Sequence, residues 1–199
     1  MVDDYGFQIK QIHDFTEFEE YDRYLEGTGS MILDRENKYC YAAISERTHE
    51  QAVIQFCDVF GYKPLCFTAN QDVHGERLAI YHTNVMMCVA DNFAVVCLDA
   101  IDELEERTHV IEVLEETDKE IIEISEEQKQ HFAGNMLQVL GDMPYLVMSD
   151  SAYNSLSPQQ ISQIEKHCPI IHSSLDTIEA CGGGSARCMM AEIFLPKSK

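Results

Sequence analysis

Cys188 follows a run of small residues, "CGGGSA", and an arginine, Arg187. A thiolate is a strong nucleophile, and it becomes a catalyst when a base and a carboxylate stand beside it. Two candidates lie far away along the chain: His82 in "IYHTN" and Glu26 in "LEGTG". Together these are the parts of a covalent hydrolase. The glycines before the cysteine, Gly184 among them, would let backbone N–H groups approach a developing negative charge. Arg187 adjoins the thiol, but neighbouring side chains on a strand point to opposite faces, so its help is expected to be indirect. Each residue also has a plainer use: a cysteine ahead of a strand packs as a small hydrophobe, a histidine at a strand start hydrogen-bonds at the surface, and a glutamate before glycine serves a turn.

What lifts the three above those uses is their placement in a repeat. Three times the chain runs strand, strand, helix, strand, at a period of roughly fifty residues. The first copy is "GSMILDR", "KYCYAAIS", "RTHEQAVIQFCDVFG" and "YKPLCFTA"; the second is "TNVMMCVA", "NFAVVCLD", "ELEERTHVIEVLEETD" and "KEIIEIS"; the third is "GNMLQVLG", "PYLVMSD", "SPQQISQIEKH" and "CPIIHSS". A fourth opens with "ARCMMAEIFL", and "FQIKQIHDF" near the start reads as the closing strand of a preceding unit. Local chemistry agrees: "DN" at 91–92 and "GDM" at 141–143 suit short turns, and Ser157 with Pro158 makes a helix start. Ala52, Val53, Phe56, Val59 and Phe60 form a helical stripe. The continuous apolar strands predict an interior of strands with helices outside, an α/β fold. A polar loop precedes each first strand. If the units are arranged radially, these loops converge and bring Glu26, His82, Asn135 and Cys188 together without a metal or cofactor.

The composition narrows the classes. With 35 acids against 14 bases, the formal charge of −21 argues against nucleic acid and against an anionic membrane surface. Such acidity serves solubility, and it would also attract a cationic substrate. Of the eight cysteines, most sit in apolar runs such as "VMMCVA" and no CxxC pair exists, so neither a zinc ribbon nor a thioredoxin-type centre is supported. Cys181 reads as packing or as a second thiol of the site. No signal peptide and no membrane-length apolar run is seen, and the expectation is a reduced, cytoplasmic protein.

The segments "LEGTGSMILDRENKYCYAAISERTHEQAV", "YHTNVMMCVADNFAVVCLDAI" and "GGGSARCMMAEIFLP" resemble the guanidine-modifying superfamily, which includes arginine deiminases, agmatine deiminases, dimethylargininases and amidinotransferases. Within it the chain is similar to amidinotransferase-like proteins related to citrulline hydrolase. The resemblance covers nearly the whole chain and implies the pentein fold, a five-unit α/β propeller, here as a single domain over 1–199 with three full units, partial ends and no N-terminal unit. It implies that Cys188 attacks a guanidino or ureido carbon, that His82 is the general acid and base, and that Glu26 holds a substrate nitrogen. Arg47, in "SERTH", matches an arginine that contacts the substrate carboxylate in arginine deiminases; otherwise it is a surface charge at a helix start. Asn135 and Gly184 join the expected substrate contacts.

Asn84 stands where arginine deiminases carry an aspartate. A neutral carboxamide suits a neutral ureido group, as in citrulline, better than a cationic guanidinium. The expected activity is thus a cysteine-dependent hydrolysis of a ureido or guanidino group, with no metal or cofactor and a small-molecule substrate. The alternatives are an amidinotransferase, which passes the adduct to an amine, and a catalytically silent pentein acting as a binding or interaction module. An open ring would expose strand edges and favour self-association.

Overall fold

The computed structural model describes residues 3–197. The chain order is α1 (Gly27–Ser30), β1 (Ile32–Asp34), β2 (Tyr39–Ala43), α2 (Glu50–Phe60), β3 (Lys63–Phe67), β4 (Asn70–Val73), β5 (Glu76–Ala79), β6 (Met87–Val89), β7 (Phe93–Val96), α3 (Leu104–Glu116), β8 (Glu120–Glu123), α4 (Glu126–Gln130), β9 (Leu137–Leu140), β10 (Pro144–Ser149), α5 (Asp150–Ser155), α6 (Pro158–Glu165), β11 (Ile170–Ser173) and α7 (Asp176–Gly182). Three sheets have the same wiring. In each, an antiparallel hairpin is followed by a helical crossover to a parallel third strand, giving the orders β1-β2-β3, β6-β7-β8 and β9-β10-β11. The result is a mixed α/β fold of small sheets.

The middle strands are the most buried. Tyr41, Ala42 and Ala43 of β2 and all four residues of β7 are inaccessible to solvent, because each is covered on both faces and flanked on both edges. This is why "YCYAA" and "FAVV" read as unbroken apolar runs instead of alternating ones. Helix α6 starts as its residues dictate: Ser157 accepts from the Gln160 N–H, the Gln160 side chain returns to the Ser157 N–H, and Pro158 takes the first helical position. Helix α2 buries Ala52, Val53 and Cys57, whereas Val59 and Phe60 are exposed. The stripe expected from sequence is thus rotated toward Cys57. Phe60 packs instead against Phe56, Phe15 and His13.

The two expected end strands are corrected. "FQIKQIHDF" forms no named strand; its backbone makes the antiparallel bridge of Phe7 with Lys197 and the Gln8 N–H to Pro196 O hydrogen bond of 2.8 Å. Its isoleucines, Ile9 and Ile12, are three apart, so they cannot share a strand face, and both are exposed. At the other end Cys188 lies in a short 3₁₀ turn, Arg187–Met189, and not before a strand. The following segment is held by side chains: Arg35 lies 3.8 Å from the Phe194 ring centre and 3.9 Å from Glu192. The hairpin β4–β5 was not expected. Arg77 staples it through Asp102 and Glu126. No helix among the described residues is long and apolar enough to cross a membrane.

Successive units are joined at both ends of their first strands. At one end the loops are stitched by buried side chains. Thr83 Oγ1 donates to Ser30 O and accepts from the Ala43 N–H, Asn135 Nδ2 donates to Asn84 O at 2.9 Å, and Asn135 Oδ1 accepts from the Arg187 N–H at 3.1 Å. At the other end Lys119, just before β8, meets Asp34 at the end of β1 at 3.3 Å and Asp91 O at 2.6 Å. Both side chains of that ion pair are almost wholly buried, at 2% and 4% exposure. Burial pushes the Asp34 carboxyl up, but hydrogen bonds from Asn37 and the Lys119 charge outweigh it and hold the group below the usual carboxylate range.

Removing one partner would strand the other charge, so Lys119→Met is expected to cost about 3–5 kcal/mol in urea unfolding. Because Asp34 binds its proton less readily folded than unfolded, its contribution is present above the ordinary carboxylate range and is lost as pH falls through the lowered folded value. Asp34→Asn should flatten that part of the acid limb in a stability-against-pH series.

Candidate active site

Glu26 lies just before α1, and the local hydrogen bonding fixes it. Its N–H donates to Ser30 Oγ at 3.0 Å and to Arg47 O at 3.3 Å, and Ser30 Oγ donates to the same Arg47 carbonyl at 2.8 Å. Ser30 thereby ties the Glu26 loop to the tight turn Ser45–Thr48 that carries Arg47. Arg47 is three residues ahead of α2, so it is a turn residue and not part of the helix start. Its Nη1 stands 3.7 Å from Glu26 Oε2.

His82 has extended backbone immediately ahead of the 3₁₀ turn Thr83–Val85. Its Nε2 is 2.7 Å from Glu26 Oε2, a contact between residues 56 apart in sequence. Gly29 makes that approach possible: a Cβ there would sit 2.9 Å from His82 Nδ1. The Tyr81 ring flanks the imidazole at 5.0 Å, lies 5.3 Å from the Arg47 guanidinium carbon, and donates its hydroxyl proton to Gly183 O at 2.9 Å. Burial, and next the proximity of Cys188, push the Tyr81 phenol up despite Arg47, so it stays a neutral donor.

Cys188 is exposed, and Gly184 lies against it: a Cβ there would be 3.2 Å from Sγ. Two carboxamides reach the sulfur, Asn135 Nδ2 at 3.2 Å and Asn84 Nδ2 at 3.6 Å. A cavity of about 420 Å³ is lined by Glu26, Arg47, His82, Asn84, Gly184 and Cys188, with Tyr81 and Arg187 also on its wall. Of the residues singled out from sequence, Asn135 and Cys181, the possible second thiol, are outside the lining. Asn135 is the one that still touches the sulfur. It is 1% exposed and sits behind the sulfur. Tyr81, Gly29 and the buried Arg187 were not singled out as contacts. Tyr81 stands in the quoted loop "IYHTN", but nothing local distinguishes it; its partners are remote in sequence.

The other thiols divide sharply. Cys40, Cys57, Cys88, Cys97 and Cys168 are buried and Cys66 is half-buried. Burial pushes Cys66 and Cys88 up to about 12 and Cys97 to about 11. Cys181 is exposed, which corrects its reading as packing. Among the described residues no group of three or more histidine, cysteine or acidic side chains is placed to hold a metal ion.

The likeness to solved structures agrees with the wiring of the sheets. The N-terminal domain of ArgZ with a covalently bound reaction intermediate matches at a TM-score of 0.65 and 19% identity, over 91% of this chain and 65% of that one. Apo ArgZ, an arginine dihydrolase from the ornithine-ammonia cycle in cyanobacteria, matches at 0.64 and 18%, over 87% of this chain and 25% of that one. SxtG, an amidinotransferase from Microseira wollei in the saxitoxin biosynthetic pathway, matches at 0.55 and 12%, over 98% and 55%. At these identities the likeness shows the fold alone, and the chain spans a quarter of the length of ArgZ. No curated protein matches the sequence. The family model described as N,N dimethylarginine dimethylhydrolase, eukaryotic, matches residues 1–195. With nearly its whole length matched, the chain belongs to the dimethylarginine dimethylhydrolase family of the pentein superfamily, related to hydrolases that act on C–N bonds of guanidino compounds.

Proposed function

We propose that this chain is a cysteine-dependent hydrolase of a guanidino group on an arginine-like small molecule, built on sectors of a pentein α/β propeller. The observation that carries the reading is the meeting of Cys188 with the His82–Glu26 pair in one cavity. Cys188 Sγ adds to the guanidino carbon. The bond to the departing amine breaks with its electron pair going to nitrogen, and His82 supplies the proton. Water then gives a proton to His82 as its oxygen bonds the same carbon, and the C–S bond breaks with its electrons returning to sulfur. One water enters, one amine leaves, and a ureido product remains.

Glu26 orients His82 through Nε2 and accepts a substrate N–H. Arg47, held by Glu26 and the Tyr81 ring, receives the substrate carboxylate in a charge-assisted pair. The covalent intermediate of the ArgZ domain supports the adduct by analogy of fold. A ureido substrate is the second reading, and the neutral Asn84 on the cavity wall favours it.

Amine or ammonia release from arginine, N-methylated arginines and citrulline separates the two. Release from the guanidino compounds is expected, and release from citrulline alone would replace the first reading by the second. Cys188→Ser should lower turnover on the order of a thousandfold or more, with substrate binding retained. Gly29→Ala would displace His82 from Glu26 and lower kcat by about tenfold to a hundredfold with a stable fold. Mass mapping after brief iodoacetamide treatment should find Cys188 and Cys181 modified first, with the buried thiols following only on unfolding; uniform slow labelling of all eight would favour a silent binding module.

A further inference from the structure

Resting on the reading of Cys188 as nucleophile, we propose that the carboxamides of Asn135 and Asn84 stabilise negative charge on the Cys188 sulfur, the task that an imidazolium performs in a cysteine–histidine ion pair. Among the described residues, the side-chain hydrogen bonds that reach Sγ are those two, at 3.2 and 3.6 Å. His82 is committed elsewhere: its Nε2 faces Glu26. The sulfur is therefore solvated by neutral amides and not by a ring nitrogen.

Asn135 has no freedom to do otherwise. Its Nδ2 hydrogens go to Asn84 O and to Sγ, and its Oδ1 takes the Arg187 N–H. Flipping the amide would set Oδ1 against the Asn84 carbonyl oxygen and the NH₂ group against the Arg187 N–H, so both bonds would be lost. What meets the sulfur is thus an N–H donor held from behind, 1% exposed and preorganised. A hydrogen bond to the charged form of a group favours that form. Asn84 Nδ2 adds the second contact at 3.6 Å, and among the described residues its buried Oδ1 has no hydrogen-bond partner.

The cations nearby are engaged in other contacts. Arg187 donates from Nη1 to Met190 O at 3.5 Å and its charge acts on Cys88. Arg47 pairs with Glu26. The other ionisable groups on the cavity wall, Tyr81 and Glu26, bring no positive charge. This gives Asn135 a positioning and charge-stabilising role in place of substrate contact. It also leaves His82 free to handle the protons of the leaving amine and of water.

The test is the rate of iodoacetamide alkylation of Cys188 at neutral pH in the full chain, with Cys181→Ser silencing the other exposed thiol, alongside the ultraviolet absorbance of the thiolate. Asn135→Asp is nearly isosteric and keeps the acceptor for Arg187 while replacing the donor by a carboxylate. It should slow alkylation about tenfold or more, since a hydrogen bond to a charged group is worth about 1.5–3 kcal/mol. Asn84→Asp should slow it by a smaller factor, about threefold or more, in keeping with the longer contact. His82→Gln should abolish turnover yet leave alkylation within about twofold of the parent. Alkylation of Asn135→Asp at the parental rate overturns the proposal, and so does His82→Gln slowing alkylation as much as Asn135→Asp. If Asn135→Asp does not fold, Asn84→Asp decides alone, because among the described residues the Asn84 side chain hydrogen-bonds to the sulfur and to nothing else. These rates need no substrate, so a chain that hydrolyses nothing still tests the amide pair, and turnover with unaltered alkylation would sink the pair while keeping the hydrolase.

Discussion

One row of buried hydrogen bonds holds the site together. Ser30 O, Thr83 Oγ1, Asn84 O and the Asn135 carboxamide link the loops that precede successive first strands, and the last link is the backbone N–H of Arg187, beside Cys188. Each of these side chains is almost fully buried. A buried polar group left without its partner costs about 1–3 kcal/mol, so the loops are held in place jointly or not at all. The sheets supply the scaffold, but this row sets the relative position of four segments that are about fifty residues apart.

The site divides into two halves that meet at the Tyr81 ring. One is ionic: Glu26, His82 and Arg47 share a carboxylate oxygen and face solvent in part. The other is neutral: the buried Asn84 and Asn135 and the partly exposed glycine loop surround the sulfur. Tyr81 borders both, through its ring contacts with His82 and Arg47 and its hydroxyl bond to Gly183. Under the proposed hydrolysis, the amide side would face the sulfur and the ionic side would face the departing amine.

Much of the repeat was legible because strand and helix periods are local. The hairpin turns at 91–92 and 141–143 and the helix start at Ser157 and Pro158 are each decided within a few residues, and all appear where the sequence puts them. The two end segments were not legible. "FQIKQIHDF" and "MMAEIFLP" carry strand-forming residues, but a strand exists only where a neighbour supplies its hydrogen bonds, and they meet only at their ends, through the Gln8 N–H to Pro196 O bond beside the Phe7–Lys197 bridge. The hairpin β4–β5 escaped for the converse reason. Its residues "NQDVHGERLA" are mostly polar and lack an apolar strand pattern, and the Arg77 ion pairs that tie it down reach acids far along the chain.

By itself the sequence determined the unit, its wiring, and the identity of the cysteine, histidine and glutamate worth watching, because those rest on periodicity and on residue chemistry. Which atoms touch was decided by the tertiary structure alone. Asn135 looked like a substrate contact and proved to stand behind the sulfur, and Tyr81 looked like nothing and proved to join the two halves. Contacts across fifty or a hundred residues depend on how sheets pack, and no local pattern encodes the last ångström of that packing.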